Sequence, residues 1–410
     1  MPGTSAVCRS CRAPDPVPVL SLGATPLADA LLEERHLDQP EGRYPLELAF
    51  CTRCALVQIL EDVPPERLFV ENYLYFSSVS DALVRHAHTH ADELIAARGL
   101  GPDSLVVEVA SNDGYLLKGF AERGIPVLGI DPAPDQADAA EEAGIPTLRA
   151  FFDRTLAERL RAEGKRADVV IANNVMAHTP DPSGFAEGLA VLLADDGVAT
   201  VENPYVRDLI EQTQFDTIYH EHFSYFSCTS VDHLMRRAGL FLNRVEHFPR
   251  LHGGTLRWWV EPRERREGSA RAYLSAEAEA GLTDPAFYRA FAAQVEAIRA
   301  ELLGVLRGLR EEGRTIAAYG AAAKGATLLN YGGIGRDLVD FVVDRNPHKQ
   351  GRYMPGVHIP IRHPSALLEE RPDIVLLLTW NFLDEVLAQQ EEYRRGGGRF
   401  LVPVPWPEIV

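Results

Sequence analysis

Hydrophobic and polar positions along the chain fall into three regimes. In the first seventy residues the apolar runs are short and broken by turn residues, and LVQIL after Cys54 reads as a short strand. From Ser78-Val-Ser-Asp81 the apolar residues recur three and four apart, which predicts a helix beginning there. Leu105–Val109 is then a buried strand that ends in a small-residue turn and leads into the helix YLLKGFAERG. VLGID follows, ending at Asp131, then TLRAFFD, ADVVIANNVMAH and LADDGVATVENP. Strands alternating with helices predict a parallel doubly wound sheet with ligands at the carboxyl ends of its strands. Ser269–Glu312 is rich in Ala, Glu, Arg and Leu, and its spacing predicts two helices between domains. A second α/β unit then starts with the strand Thr315–Gly320, a small-residue turn and a helix. A strand ending at Asp344, the run DIVLLLTWNF and LVPVP complete it.

The expected fold class is therefore α/β in three parts. These are a small metal-binding domain over 1–70, a Rossmann-like domain over 71–285 and a second Rossmann-like domain over 286–410. A length of 410 residues suits two or three domains. The formal net charge of -18 argues against nucleic acid as a partner. On so acidic a chain a phosphate-bearing ligand needs a few local donors. No basic and apolar leader opens the sequence and no apolar run reaches about 18 residues. The expectation is a cytoplasmic protein that spans no membrane. One chain carries all three parts, so a monomer suffices.

Four of the five cysteines form two CxxC knuckles, Cys8/Cys11 and Cys51/Cys54. In a reducing compartment four thiolates at this spacing suit a closed structural Zn²⁺ site. No βαβ pattern surrounds either pair, which disfavours a redox dithiol. Cys228 stands alone and reads as a buried apolar residue.

In the first turn of the middle part, Glu108-Val-Ala110-Ser-Asn112-Asp-Gly114, the glycine spacing of a dinucleotide fingerprint is missing. The missing glycine fingerprint, the acid inside strand one and the pair Asn173-Asn174 together favour S-adenosylmethionine, whereas the ribose-type acid Asp131 would serve a nicotinamide cofactor equally well. S-adenosylmethionine has no pyrophosphate to seat on a helix N-terminus. Glu108 falls near the ammonium of its methionine moiety. Phe151, Phe152 and Asp153 fall near the adenine, with core packing as the other role for Phe152. His178 follows strand four, where methyltransferases of this sheet type face the methyl group, although a loop histidine on the surface fits as well. Tyr73, Tyr75 and Phe76 either pack a domain junction or wall a pocket.

In the third part, Gly320-Ala-Ala-Ala-Lys324-Gly325 combines small residues, a lysine and a helix N-terminus. These are the ingredients of an anion seat. It is not a Walker A loop, because no Ser or Thr follows the lysine, and a merely structural turn remains open. Asp344, Arg345, Asn346, His348 and Lys349 lie where an attached nucleoside would sit.

Between these two units comes Tyr219-His220-Glu221-His222, with aromatics on both sides. The alternating histidines also suit a transition ion. Alternation turns His220 with Glu221 or His222 but not both.

The CxxC pairs, the ExASNDG turn, NNVxAH, YHEHFSYFS, HGGTLR and GAAAKG…VDRNPHKQGRYMPG together resemble the sugar C-methyltransferases of deoxysugar biosynthesis. The resemblance spans essentially the whole chain. It is nearest to the C-3′-methyltransferases of thymidine-diphosphate (dTDP)-linked 4-keto deoxysugars, which make mycarose, vancosamine-type sugars and tetronitrose. It implies an N-terminal zinc domain, a central S-adenosylmethionine domain and a C-terminal domain that anchors the nucleotide. The candidate substrate-binding residues are Lys324, Gly325, Asp344, Asn346, Lys349 and His252. The resemblance also implies that Tyr73, His178, Tyr219, Glu221 and His222 line the sugar pocket, with Tyr75 as the other candidate for the pocket tyrosine.

A keto group at C-4′ acidifies the C-3′ proton. Such an enzyme needs a base there, a donor at O-4′ and a methyl sulfonium in line. His222 is the first candidate for the base, since imidazole titrates near neutrality. Glu221 can orient an imidazole or be the base, Tyr219 or Tyr73 can donate to the enolate, and His178 can position the sugar or replace the base. An NAD(P)-dependent sugar oxidoreductase or epimerase would require a GxGxxG turn and a Tyr-x-x-x-Lys pair, and neither stands in a suitable context. A non-catalytic zinc-containing binding protein would not need the polar set around Glu221.

Overall fold

A computed structural model describes residues 6–70, 75–251 and 253–410. Tyr73 and His252 therefore lie outside the described residues. The strands are β1 (Val17–Thr25), β2 (Tyr44–Phe50), β3 (Val57–Ile59), β4 (Val106–Val109), β5 (Val127–Ile130), β6 (Thr147–Leu148), β7 (Ala167–Asn173), β8 (Leu193–Pro204), β9 (Ser224–Tyr225), β10 (Phe241–Phe248) and β11 (Thr255–Glu261). In the C-terminal part come β12 (Ile316–Tyr319), β13 (Val342–Val343), β14 (Ile361–Arg362), β15 (Ile374–Leu377), β16 (Arg399–Val402) and β17 (Glu408–Ile409).

They form three sheets. The N-terminal sheet is antiparallel in the order β1-β2-β3-β9. Its last strand is the continuation of the YHEH stretch, so the N-terminal part and the histidine loop share one sheet. The middle sheet has the order β10-β11-β8-β7-β4-β5-β6, parallel from β6 to β8 and antiparallel beyond. The third has the order β14-β13-β12-β15-β16-β17, parallel except for β17. Both larger sheets reverse strand order beside their first strand, β4 and β12, and such switch points open the crevices in which doubly wound folds bind ligands.

The α/β reading holds, with differences of physical origin. The segment between the knuckles contains β1 and β2, which the broken apolar pattern hid. β11 is buried at all but its last residue because it lies between β8 and β10, so it shows no alternation to read. The region expected as two helices has three, Gly268–Ala280, Pro285–Tyr288 and Phe291–Glu311, with Gly281 in the left-handed region and Pro285 opening the short middle one. The helix that begins near Ser78 runs from Asp81 to Arg98, with Ser80 as its N-cap. Cys228 is fully buried, as expected.

Candidate functional site

The four cysteine sulfurs lie within 4.8 Å of one another, with Cys8–Cys54 and Cys11–Cys51 each at 3.5 Å. A tetrahedral zinc with Zn–S near 2.3 Å has S–S edges of about 3.8 Å, so the cluster needs only a small adjustment to hold the ion. Without a cation the thiols compete for protons. The hydrogen bond with Cys54 holds Cys8 down to about 5, and Cys54 is driven far up. The donor set fits zinc.

At the switch point of the middle sheet, Ala110, Asn112 and Gly114 all have positive φ, so the chain after β4 folds into a tight turn. A Cβ on Gly114 would stand 2.9 Å from Ile145 Cγ1, which explains the glycine. Asp131 takes the Asn112 and Ala133 N–H groups on its two oxygens at 2.8 and 2.9 Å and fixes the turn against β5. Burial pushes Asp131 up to about 6. Glu108 is 1% exposed and its Oε2 is unpartnered, as are Ser111 Oγ, Asp113 Oδ1 and Asn173 Oδ1. Burial, then the charges of Asp113 and Asp131, push Glu108 well above the usual carboxylate range. Carboxylate oxygens left unpartnered in a buried crevice suit a cation, and the ammonium and sulfonium of S-adenosylmethionine carry charge of that sign. Asn174 has positive φ and donates its N–H to the Glu202 carbonyl.

The segment Tyr75–Ser80 closes over this turn. The Ser77 and Ser78 N–H groups donate to Asn112 Oδ1 and Asp113 Oδ2, and Asn112 Nδ2 donates to the Tyr75 carbonyl. Phe152 is turned inward, edge-on to Phe185 at 5.4 Å and against Gly188, so its ring packs in the core. The exposed aromatic beside it is Phe151. Alternation between adjacent residues sends one ring to the core and the other to the surface.

In the histidine loop, His222 Nδ1 lies 2.8 Å from the Thr217 carbonyl and Nε2 lies 3.0 Å from Tyr219 Oη. A carbonyl only accepts, so Nδ1 carries the proton, and Nε2 holds the lone pair that accepts from the phenol. His178 stacks on His222 with ring centroids 4.9 Å apart and on Phe69 at 5.3 Å. Burial, then the neighbouring His222, lower His178 well below the usual imidazole range. The acceptor that orients His222 is thus Thr217. Glu221 turns instead to Asp29 and Lys349, and burial, then Asp29, push it far up. His220 points the other way and donates from Nε2 to the Pro45 carbonyl at 3.0 Å. The two histidines therefore do not converge on an ion, and among the described residues the cysteines form the only metal-type cluster.

Beside His222 is a cavity of about 10 Å³, enough for one water. Asn203, Ser224 and Tyr225 line it, and Asn203 Nδ2, Ser224 Oγ and Tyr225 Oη have no hydrogen-bond partner. The sequence reading missed Asn203. Its only signal is its place at the carboxyl end of β8, in VENP. Asp29 was also missed, and nothing local marks it.

In the third sheet, Asp344 repeats the geometry of Asp131. Its oxygens take the Ala321 and Asn346 N–H groups at 2.7 and 2.8 Å. A Cβ on Gly320 would lie 2.4 Å from Thr379 Cγ2, and one on Gly325 2.9 Å from Leu378 Cβ, so both glycines serve close packing. The helix Ala323–Gly332 has no side-chain cap at its N-terminus. Lys324 is turned inward. Its Nζ donates to Asn381 Oδ1 at 2.7 Å and lies 4.7 Å from the centre of the Trp380 ring. Burial lowers it to about 8, against the pull of Asp216, which burial raises to about 6. Lys349 Nζ donates to the Ala321 carbonyl at 2.8 Å and faces Asp29 at 4.0 Å. His348 stacks on Phe76 at 5.8 Å, so the cover of the middle crevice meets the third domain.

Three family models match the chain: a zinc binding domain over 8–69, a methyltransferase domain over 83–245 and a C-methyltransferase C-terminal domain over 250–405. C-methyltransferase NovU of Streptomyces niveus is 36% identical over 407 residues, covering 98% of this chain and 96% of that protein. A ubiquinone biosynthesis O-methyltransferase of Azorhizobium caulinodans is 31% identical over 127 residues, 30% of this chain and 47% of its own. Magnesium protoporphyrin IX methyltransferase from Synechocystis PCC 6803 with bound SAH is 17% identical, covering 43% of this chain and 82% of that one with a TM-score of 0.35. With a relative matched from end to end and all three domain models in order, the chain belongs to the C-methyltransferase family and is an S-adenosylmethionine-dependent C-methyltransferase with a zinc-binding N-terminal domain.

Proposed function

We propose that the protein methylates C-3′ of a dTDP-4-keto-2,6-dideoxy sugar or a dTDP-4-keto-3-amino-2,3,6-trideoxy sugar in antibiotic deoxysugar biosynthesis. The observation that carries this reading is His222. Its tautomer is fixed by Thr217, its Nε2 lone pair accepts from Tyr219 Oη, and His178 stacks on its ring. S-adenosylmethionine, held by Glu108 and its neighbours, supplies the electrophilic methyl group.

A carbon nucleophile must be made by removing a proton. His222 Nε2 takes the C-3′ proton, either directly or through the Tyr219 hydroxyl that now donates to it. The negative charge of the enolate falls on O-4′, and a donor there lowers the barrier. Tyr219, freed from His222 as the imidazole becomes protonated, is one such donor. The unpartnered Asn203, Ser224 and Tyr225 groups beside His222 are the nearest others. His178, kept neutral by burial and by His222, packs against the base without adding charge. Stacking fixes the imidazole plane, and orientation of this kind is a large part of rate acceleration.

The nucleotide is assigned to the third domain. Asp344 and Asn346 stand at the switch point for ribose, and the uncapped helix start at Ala322–Ala323 offers N–H groups to a diphosphate. Lys349, which reaches both Ala321 and the Glu221–Asp29 pair, ties that domain to the sugar pocket.

Testing this calls for His222→Asn and a panel of dTDP-4-keto sugars. The wild type should gain one methyl mass on a panel member and exchange C-3′ deuterium with solvent. The variant should bind S-adenosylhomocysteine normally and lose both reactions. Wild-type exchange in the variant would remove His222 from the role of base, and no turnover of any dTDP-4-keto sugar by the wild type would refute the substrate class.

A further inference from the structure

The two histidines of the site come from segments far apart in sequence. His178 follows β7 and His222 precedes β9. Their 4.9 Å stack requires something to hold the two loops in register. One side chain spans them, and it lies inside the first zinc knuckle. Arg9, between Cys8 and Cys11, is 9% exposed. Its guanidinium carbon stands 4.9 Å from the centre of the Phe223 ring, the residue after His222. Its Nη1 donates to the Pro180 carbonyl at 3.4 Å, two residues after His178, and to Asp62 Oδ1 at 3.3 Å. Nη2 donates to the Glu61 carbonyl at 2.6 Å and Nε to the Ile59 carbonyl at 3.3 Å. Ile59 in turn takes the Phe223 carbonyl on its own N–H at 3.1 Å.

The rest of the knuckle points to the same two loops. The Arg9 N–H donates to Gln58 Oε1, and Gln58 pairs with Ser224 in the N-terminal sheet. The Ser10 carbonyl accepts from Ser183 Oγ at 2.8 Å, and Arg12 pairs with Asp181 at 3.5 Å. A fold that needed the knuckle only for its own stability would not require it to contact the segments just past both histidines. A planar fork suits this bridge, because it can accept a ring on its face while its edges serve several carbonyls at once.

We propose that Arg9 is a positioning residue for methyl transfer, holding His178 and His222 together by bridging the Pro180 carbonyl and the Phe223 ring. The zinc knuckle then acts on the reaction through this side chain and not only on the stability of the N-terminal domain. The contacts of Arg9 named above are all to protein groups, so it acts through the two histidines. Its effect should fall on the rate of the step that needs the histidines, and not on cofactor binding. The proposal rests on the reading of His222 as the base.

The test uses the full-length zinc-loaded enzyme, S-adenosylmethionine and whichever dTDP-4-keto sugar of the panel is turned over. Arg9→Ala, Arg9→Lys, Phe223→Leu, the Arg9→Ala/Phe223→Leu pair and His222→Asn are compared by zinc content, S-adenosylhomocysteine affinity, kcat and KM. The expected result for Arg9→Ala is one zinc per chain, unchanged S-adenosylhomocysteine affinity, and kcat reduced on the order of 10²-fold with KM little changed. Arg9→Lys keeps the charge but loses the fork, and kcat should stay low. Added methylguanidinium should restore part of the Arg9→Ala rate, and the double variant should lose less than the product of its two single losses. Wild-type kcat in a zinc-loaded Arg9→Ala would overturn the proposal. If Arg9→Ala does not fold or loses zinc, Arg9→Lys and Phe223→Leu decide, and wild-type kcat in both would overturn it equally. His222→Asn separates the two failures. An active His222→Asn refutes the base, whereas an inactive one beside a fully active Arg9 variant refutes only the bridge.

Discussion

Glu108→Gln replaces a buried acid that has no partner by a neutral group of the same shape. In the free protein Glu108 sits among Asp113 and Asp131 at the end of β4 with Oε2 unsatisfied, and burial holds its proton on well above the usual range. Binding an ammonium reverses this, because the cation stabilises the carboxylate and the proton leaves. Wild-type affinity for S-adenosylhomocysteine should therefore rise with pH, by up to about tenfold per unit, until the pH passes the raised value. A hydrogen bond to a charged group is worth about 1.5–3 kcal/mol, so the glutamine variant should bind about 10- to 150-fold more weakly. The sign for stability is opposite. A raised acid contributes stability that is fully present below its ordinary value of 4.5 and is lost as pH rises through the folded value. The variant lacks that loss, and its free form should be no less stable than wild type at neutral pH. Calorimetry of S-adenosylhomocysteine binding in two buffers of different ionisation enthalpy counts the released protons. Wild-type affinity and unchanged proton release in Glu108→Gln would refute the assignment of Glu108 to the cation.

The buried network around Glu202 gives a second prediction. Burial works to raise this carboxyl, but the His86 hydrogen bond and Arg257 hold it down to about 2. The stability it contributes is thus present above its ordinary value of 4.5 and is lost as pH falls towards 2. Arg257→Met leaves that buried charge with His86 as its remaining partner and should cost about 3–5 kcal/mol, whereas Glu202→Gln/Arg257→Met should cost clearly less. Urea unfolding of the single and double variants checks this, and equal losses would sink the reasoning. For the metal, Cys54→Ser should reduce zinc from one per chain to near none and lower the unfolding temperature, because one ligand of a closed site is gone. Zinc determination and a thermal melt read both effects, and a zinc-loaded serine variant would contradict the four-cysteine site.

Much of this protein follows from local pattern. The two CxxC pairs announce their metal, because two such thiolate pairs supply the four ligands of a closed zinc site. The alternation of buried strands with helices fixes two doubly wound sheets. The acids that end β5 and β13 mark their crevices, because a switch-point acid is placed by strand length alone. Phe151 and Phe152 show where local reading stops, since both are aromatic in a suitable turn and only packing against Phe185 separates them. The Tyr219–His222 stretch shows it again. Three polar residues in a row do not say which way each faces. The Thr217 carbonyl in the turn just before them settled it for His222, and groups from distant segments settled it for the others, Asp29 for Glu221 and Pro45 for His220. Sequence by itself determined the metal, the cofactor class and the sheet type, each of which shows in residue types, short local spacings and the alternation of strands with helices. Tertiary structure alone decided the stack of His178 on His222, the inward turn of Lys324 and the bridge made by Arg9. Each depends on contacts between residues more than forty positions apart, and these exist only once the three sheets have packed.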